Sequence, residues 1–550
     1  MNQEVAEVKT FKDPIYGYIE IENALIAGVV DTAVFQRLRD VVQTSYTPLY
    51  SSAVHTRFAH SLGVYYLGRM ASGAFLKSFR EISAEENFDI KELLRVFMLA
   101  CLLHDVGHAP FSHTGEKFYL GSEAHKEFHQ LIAELVNDPV LEKEIVNESY
   151  KAAPHELMSV IVSLREFGDL IGEDHKSFFA RCVLGYKYTM GVDNGKGYQN
   201  CLIELLNSKI IDVDKLDYLI RDSYMTGYDT VKIDFVRLLN NICIHGEGET
   251  CRICYRKAAL SVIENVVYAH DSERKWIQKH PVVLYEAYIV ENMIRKVMDE
   301  VLKCDDKIAY EYLTEQGQVV DGYGTVRLLG DSDILFLAKT MTEPDIAGEY
   351  YNRNARKHPF WKSEAEFHAI FEGNDEQLDI IEEEFAELET YFRTLGLPFV
   401  LNQKALEAIE KEIEYTEKVM GNEEGKQQTL KMKQYHLEWM RMFRKYAHDQ
   451  DIGFEFLVIS TEQFNSGFKK TEFSNIEVVF PEIKKPCRLN AVSNVLKAGS
   501  SEREKFFFLF YSRKEKVAGI KISGLVTGML KLANQKKERQ EIENKEEQLN

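Results

Sequence analysis

The stretch ACLLHDVGHAPFSH, residues 100–113, decides how this chain is read. Apolar residues recur at helical spacing from Lys91 to Leu103, and His104, Asp105, His108 and His113 then follow directly. A helix ending in so many ionisable groups needs a reason, because buried imidazoles and carboxylates cost free energy unless they are paired or hold an ion. An isolated His-Asp pair is most often a hydrogen-bonded core pair. This pair is not isolated. His60 lies upstream in HTRFAHSLG (55–63), and Asp214 lies downstream in DVDKLDY (212–218). Two neutral imidazoles and two carboxylates form a mixed nitrogen and oxygen donor set suited to Mn, Fe, Zn, Ni or Mg. Water on such an ion loses a proton near neutral pH, and a phosphoryl oxygen on the same ion becomes more electrophilic, so phosphate-ester hydrolysis is the expected reaction.

Other groups that phosphate chemistry uses surround these four. Arg57 and Lys215 each sit within three residues of an expected ligand and are candidates to clamp phosphate. His113 is a candidate general acid, with Glu116 or Glu156 to orient an imidazole, and His108 and His155 extend the histidine set. Tyr218 and Asp222 are four residues apart on an expected helix and so share a face.

The chain has 550 residues, and 67 Lys plus Arg against 87 Asp plus Glu give a formal charge of −20 with 45% hydrophobic content, an ordinary globular composition. That length predicts two to four structural units. The longest apolar run is short, as at Phe506–Phe510, so no membrane partner is expected, and the acidic balance makes nucleic acid an unexpected one. The N-terminus does not read as a secretory signal, and eight sparse cysteines read as reduced core thiols, which together predict a cytoplasmic protein. With 11 prolines in the chain, long helices are favoured, and the fold class expected is mainly α with a smaller C-terminal α+β lobe. The expected boundaries are a helical catalytic core over 1–300, a helical extension with an acidic segment over 301–450, the α+β lobe over 451–534 and a disordered tail over 535–550. In that lobe strands are expected at Phe454–Ile459, Ile476–Phe480 and Lys505–Tyr511.

His60, His104-Asp105 and Asp214 match the H…HD…D signature of the HD-domain superfamily. The resemblance widens through KDPIYGYIE (12–20), DTAVFQRLR (31–39), RFAHSLG (57–63), HDVGHAPFSH (104–113) and DVDKLDY (212–218). In that order they resemble the motifs of deoxynucleoside-triphosphate triphosphohydrolases, across roughly residues 8 to 230. The resemblance implies an HD-domain helical core that hydrolyses a dNTP to a deoxynucleoside and inorganic triphosphate, with a divalent metal and no organic cofactor. It implies that His60, His104, Asp105 and Asp214 hold the metal, and that His113 protonates the departing 5′ oxygen. Glu116 or Glu156 would support the histidines, and His108 and His155 would complete the catalytic set. It further implies phosphate contacts from Arg57, Lys215 and Tyr218, sugar contacts from Gln43 and Asp222, and a substrate contact from His280. An activating nucleotide is implied at Asp31, Gln36 and Arg39, in a homo-oligomer, dimer or tetramer. Control of dNTP pools and phage defence are roles the resemblance permits.

Three departures qualify it. Gln278 falls where the family has a sugar-gating Tyr and His270 where it has an Arg, so selection against ribonucleotides is not implied. No N-terminal sterile-α-motif domain is expected, because the first motif begins at Lys12. The helical segment near 372 to 425 reads as enlarged. The competing readings are an HD phosphohydrolase acting on another nucleotide and a nucleotide-sensing scaffold without turnover. A separate structural zinc reading arises from Cys243, His245, Cys251 and Cys254, and the strand alternation that puts Cys251 and Cys254 on opposite faces argues against it.

Overall fold

The computed structural model describes residues 7–82, 89–119, 124–146, 152–189, 195–228, 231–246, 250–303, 306–341, 347–419, 424–462, 475–483, 485–493, 505–512 and 520–547. The chain forms two compact units, the first comprising residues 1–278, 286–347 and 466–500, the second 279–285, 348–465 and 501–550. Helices dominate both, and among the described residues none is long and apolar enough to cross a membrane.

The first unit opens with a hairpin of β1 (Val8–Asp13) and β2 (Gly17–Glu22), turned at Gly17 with a left-handed φ of 80°. Its centre is a bundle of α1 (Arg57–Ile82), α2 (Ile90–Leu103), α3 (His113–Tyr119), α4 (Pro154–Glu166) and α5 (Val213–Thr226). Side-chain caps start two of these helices: Asp89 accepts from Glu92 N, and Asp212 accepts from Lys215 N. The α2 helix is apolar nearly all round, with Leu99 to Leu103 completely buried, so its end must lie inside the bundle. Close approach is enforced at Gly63, where a Cβ would fall 1.9 Å from Asp217 Oδ1, and at Gly107, where it would fall 2.2 Å from Ser159 N. These two glycines let α1 meet α5 and the His104–His113 loop meet α4.

A small sheet also belongs to this unit. Strands β3 (Ile242–His245) and β4 (Arg252–Arg256) pair antiparallel, Glu477–Val479 adds to β4 in parallel, and Cys487–Arg488 closes the edge. The strand expected at Ile476–Phe480 therefore joins the first unit and not the C-terminal lobe. Burial explains this, since Ile476 and Val478 both lose nearly all their exposure there.

The second unit is a four-stranded antiparallel sheet ordered Lys357–Pro359, Lys505–Ser512, Glu455–Glu462 and Val400–Asn402. The helices α7 (Asp375–Thr394), α8 (Gln403–Val419), α9 (Glu424–Asp449) and α10 (Ile522–Glu547) accompany it. Phe385 of α7 stacks on Phe507 with ring centres 5.5 Å apart, and Trp439 and Phe443 of α9 are fully buried beside it. Residues 301–347 fold with the first unit and not with the helical extension. The tail is helix through Glu547 where disorder was expected from 535, and 548–550 lie outside the described residues. Leu525, Met529 and Ala533 bury its apolar turns, and Lys536 pairs with Glu387 at 3.4 Å.

Candidate metal centre and catalytic site

The four expected ligands come from three helices and meet. Ligand atoms of His60 on α1 and of His104 and Asp105 at the end of α2 lie within 4.8 Å of one another. Asp214 in the first turn of α5 places Oδ1 2.9 Å from His60 Nε2 and 3.6 Å from His104 Nε2, and those two Nε2 atoms are 3.3 Å apart. The opposite ring nitrogens are already used: His60 Nδ1 donates to Asp217 Oδ2 at 2.7 Å and His104 Nδ1 to Cys101 O at 3.0 Å. That arrangement points both Nε2 lone pairs at the carboxylates, the outer-shell pattern that orients metal-binding histidines. The donor set and its support fit a divalent ion.

The support is itself a buried network. Asp217 accepts from Arg221 Nε at 2.8 Å and from Tyr16 OH at 2.7 Å, and Arg221 NH1 reaches Asp13 at 3.0 Å. Asp217, Arg221, Tyr16 and Asp13 were not identified as site residues from the sequence. The available signal was Asp217 one turn beyond Asp214, and Asp13 and Tyr16 within KDPIYG.

Electrostatics follow from these contacts. Burial resists charge on His60, but its hydrogen bonds to Asp214 and Asp217 outweigh it and lift the imidazolium to about 9 in the metal-free protein. Burial likewise raises the Asp105 carboxyl, yet Arg57 and the neighbouring imidazoles hold it well below the usual carboxylate range. Arg57 is buried, with NH1 2.7 Å from Asp105 Oδ2 and Nε donating to Ser112 Oγ at 2.9 Å. His108 Nε2 is 3.3 Å from Asp105 Oδ1, which connects the metal set to a second cluster.

In that cluster three imidazoles share one carboxylate. Glu116 Oε1 lies 2.7 Å from His113 Nδ1, 3.1 Å from His155 Nδ1 and 3.3 Å from His108 Nδ1. The His108 and His155 rings stack with centres 4.3 Å apart. Burial opposes charge on His155, but Glu116 outweighs it and raises the imidazolium to about 9, whereas burial and Arg57 push His108 well below its ordinary value. The two stacked rings are thus shifted in opposite directions beside one glutamate. His113 stands at the rim with 65% of its side chain exposed. Glu156 serves elsewhere: its oxygens accept from Ala153 N and from Asn207 Nδ2, each at 2.6 Å, so it caps α4 and ties that helix to the chain at Asn207.

The expected substrate residues fare differently. Gln43 is buried, and among the described residues its Oε1 has no hydrogen-bond partner, which leaves an acceptor suited to a ligand hydroxyl. Asp222 is buried and 2.6 Å from His55 Nε2. Tyr218 is half-buried one turn before Asp222, and burial pushes its hydroxyl well up. Lys215 Nζ donates to Asp212 Oδ2 and Ser208 O, both at 2.7 Å, so here it holds the start of α5. His280 belongs to the second unit, where its Nδ1 accepts from Val282 N, and is not part of the cluster described. His270 is buried, and Gln278 Nε2 donates to Glu273 Oε1 at 2.9 Å. Asp31 is exposed and pairs with Lys9 at 3.2 Å, while Gln36 Oε1 accepts from Arg39 Nε at 2.7 Å. The zinc set does not gather: Cys243 and Cys254 face each other across the β3–β4 pair, but no three of Cys243, His245, Cys251 and Cys254 bring ligand atoms within 4.8 Å.

Comparison with known proteins agrees with this geometry. Residues 57–174 match the HD domain family. YwfO of Bacillus subtilis, an uncharacterised protein, is 28% identical over 297 residues, 54% of this chain and 57% of that protein. The deoxynucleoside triphosphate triphosphohydrolase SAMHD1 of Homo sapiens is 30% identical over 315 residues, 55% of this chain and 46% of that protein. The chain thus spans about half the length of the curated relatives it matches. In fold it is similar to a phosphohydrolase from Bacteroides thetaiotaomicron, with a TM-score of 0.53 at 19% identity over 92% of this chain and 100% of that one. Residues 57–174 therefore match an HD domain, and His60, His104 and Asp105 of that stretch bring their ligand atoms together.

Proposed function

We propose that the protein hydrolyses deoxynucleoside triphosphates to a deoxynucleoside and inorganic triphosphate. The observation that carries this reading is the adjacency of two clusters, a four-residue ion site and a glutamate-organised histidine trio 3.3 Å from its Asp105. Bound by His60, His104, Asp105 and Asp214, a divalent ion supplies an acidified water and a polarised phosphoryl oxygen. The remaining work belongs to the chain. Arg57 spreads charge from the attacked phosphorus, and His155, charged by Glu116, adds donors for the phosphate oxygens. His113 gives its proton to the departing 5′ oxygen, with Glu116 fixing Nδ1 and leaving Nε2 for the transfer. Gln43 and Asp222 hold the sugar, and Tyr218 and Lys215 meet the phosphate tail once Lys215 leaves Asp212.

The naming of SAMHD1 as a triphosphohydrolase supports the choice of substrate. A nucleotide bound at Asp31, Gln36 and Arg39 would activate an oligomer of this chain. One observation favours a second substrate class: polar Gln278, bonded to Glu273, stands where the resembled family has an aromatic sugar gate, so ribonucleotides belong in the assay. The test is incubation with Mn or Mg and single or mixed dNTPs, followed by product separation. Release of triphosphate is the expected result, and orthophosphate or pyrophosphate would replace this reading with another nucleotide phosphohydrolase. Turnover confined to mixtures would identify the activator requirement.

A further inference from the structure

The loop from His104 to His113 carries four expected site residues, His104, Asp105, His108 and His113, in an unfavourable backbone. Phe111 and Ser112 have φ values of 59° and 54°, a left-handed conformation that costs free energy for residues other than glycine and persists only where surroundings enforce it. Enforcement comes from a segment more than 200 residues away. Asp331, in the first turn of α6 (Asp331–Thr340), accepts from Phe111 N through Oδ1 at 2.6 Å and from Val42 N through Oδ2 at 2.9 Å. It is 6% exposed, and burial pushes its carboxyl up to about 7 against the two N–H groups that stabilise the ionised form.

The neighbouring contacts make this a clamp. Arg37 joins Leu329 O at 3.0 Å to Val106 O at 2.8 Å and His108 O at 2.9 Å. Asp40 accepts from Ser332 N at 3.2 Å. Ser112 Oγ, bonded to Val42 O, accepts from Arg57 Nε. The segments carrying Gln43 and His113 are thus fixed to each other by the Asp331 carboxylate together with the Ser112–Val42 bond.

We infer that Asp331 is a positioning residue for the reaction, fixing the left-handed turn that sets His113 and Glu116 against the metal site and holding Gln43 in register with it. Its two oxygens accept from the backbone N–H groups of Phe111 and Val42. The inference rests on the hydrolase reading for its kinetic consequence but not for its structural one. A catalytic loop that enters its helix through two strained residues without glycine needs an external acceptor for the Phe111 N–H, and a displacement near 1 Å at the proton donor costs up to about 100-fold in rate.

The test replaces Asp331→Asn in the full chain, which keeps the shape but leaves one N–H facing an amide NH2. Asp333→Asn serves as comparison, because Asp333 caps the same helix by accepting from Gly330 N at 2.8 Å and bonds neither loop. Hydrogen exchange is followed in peptides covering 41–45 and 109–114, alongside steady-state dNTP hydrolysis and bound metal. Asp331→Asn is expected to speed exchange in both peptides and lower kcat on the order of 10- to 100-fold. KM and metal content are expected to stay near wild type. Asp333→Asn is expected to alter neither exchange nor kcat. Unchanged exchange in Asp331→Asn overturns the clamp, and faster exchange with unchanged kcat overturns the positioning role. If wild type releases no triphosphate from any dNTP, the substrate reading fails while the exchange result still decides the clamp.

Discussion

Among the described residues, the imidazole and carboxylate cluster around His60 in the first unit and the one around His436 in the second resolve their charge in opposite ways. In the first unit His60, His104, Asp105 and Asp214 converge, and the Nδ1 sides of the histidines are occupied by Asp217 and Cys101 O, so the donors face one another around a common point. In the second, Glu384 and Glu387 of α7 come together with His436 of α9, also within 4.8 Å. There, Lys536 Nζ stands 3.6 Å from Glu384 and 3.4 Å from Glu387, and His436 Nδ1 meets Glu384 at 2.7 Å. An ammonium group takes the place an ion would need. Proximity of ligand types is therefore an incomplete criterion for a metal site; the position of the resident cation and the orientation of the ring nitrogens separate the two cases.

The contrast is broken or sharpened most severely by removing ligands. Asp105→Ala or His104→Ala is expected to lose bound metal and at least about 1,000-fold in turnover, by metal analysis and product assay. His436→Gln should leave both at wild-type level. A drop of one ion per chain in His436→Gln would place a metal in the second cluster and erase the distinction. Next, His113→Asn is expected to keep its metal and lose about 100- to 10,000-fold in kcat, the range of a general acid. Lys536→Met should act only on stability, by about 3 kcal/mol in chemical denaturation, because Glu384 is left buried beside uncompensated carboxylates. Asp217→Asn, which weakens the support of His60, is expected to reduce metal affinity about 10- to 100-fold in a competition titration.

The smallest effect is on pH dependence. Burial opposes charge on His60 and His155, yet carboxylate neighbours raise both from 6.5 to about 9 in the folded metal-free protein. A folded-state value above the unfolded one stabilises fully below pH 6.5, and that contribution is lost as pH rises through 9. Melting temperatures in chelator should fall across that window. Added metal should flatten the dependence, because an ion takes the neutral form of His60. A melting temperature constant from pH 6.5 to 9 in chelator would contradict the charge arrangement around these two rings.

Legibility differed between regions for physical reasons. The His104–His113 loop was readable because its chemistry is local: HDVGH and HSLG place ionisable groups next to apolar helix positions, which only function or pairing explains. The strands at 454–459 and 505–511 were readable from β-branched and aromatic runs, and they do pair with each other. Glu116 and Glu156 had equal claims in the sequence, and only packing assigned the first to three imidazoles and the second to a helix cap. The strand at 477–479 was misplaced because a short apolar run carries no address, and the open edge of β4 provides one. Asp331 gave no signal, since a lone carboxylate at a helix start is ordinary until the distant N–H groups it receives are known.

By itself, then, the sequence determined the donor types, their spacing along helices and the mainly α class, because periodicity and side-chain chemistry act over a few residues. Tertiary structure alone decided which carboxylate serves which imidazole, which His/Glu cluster is already neutralised by a lysine, and what holds the strained turn at Phe111 and Ser112. Most of those outcomes depend on contacts between segments tens to hundreds of residues apart, where burial sets whether a charge must be paired and the folded backbone sets with what.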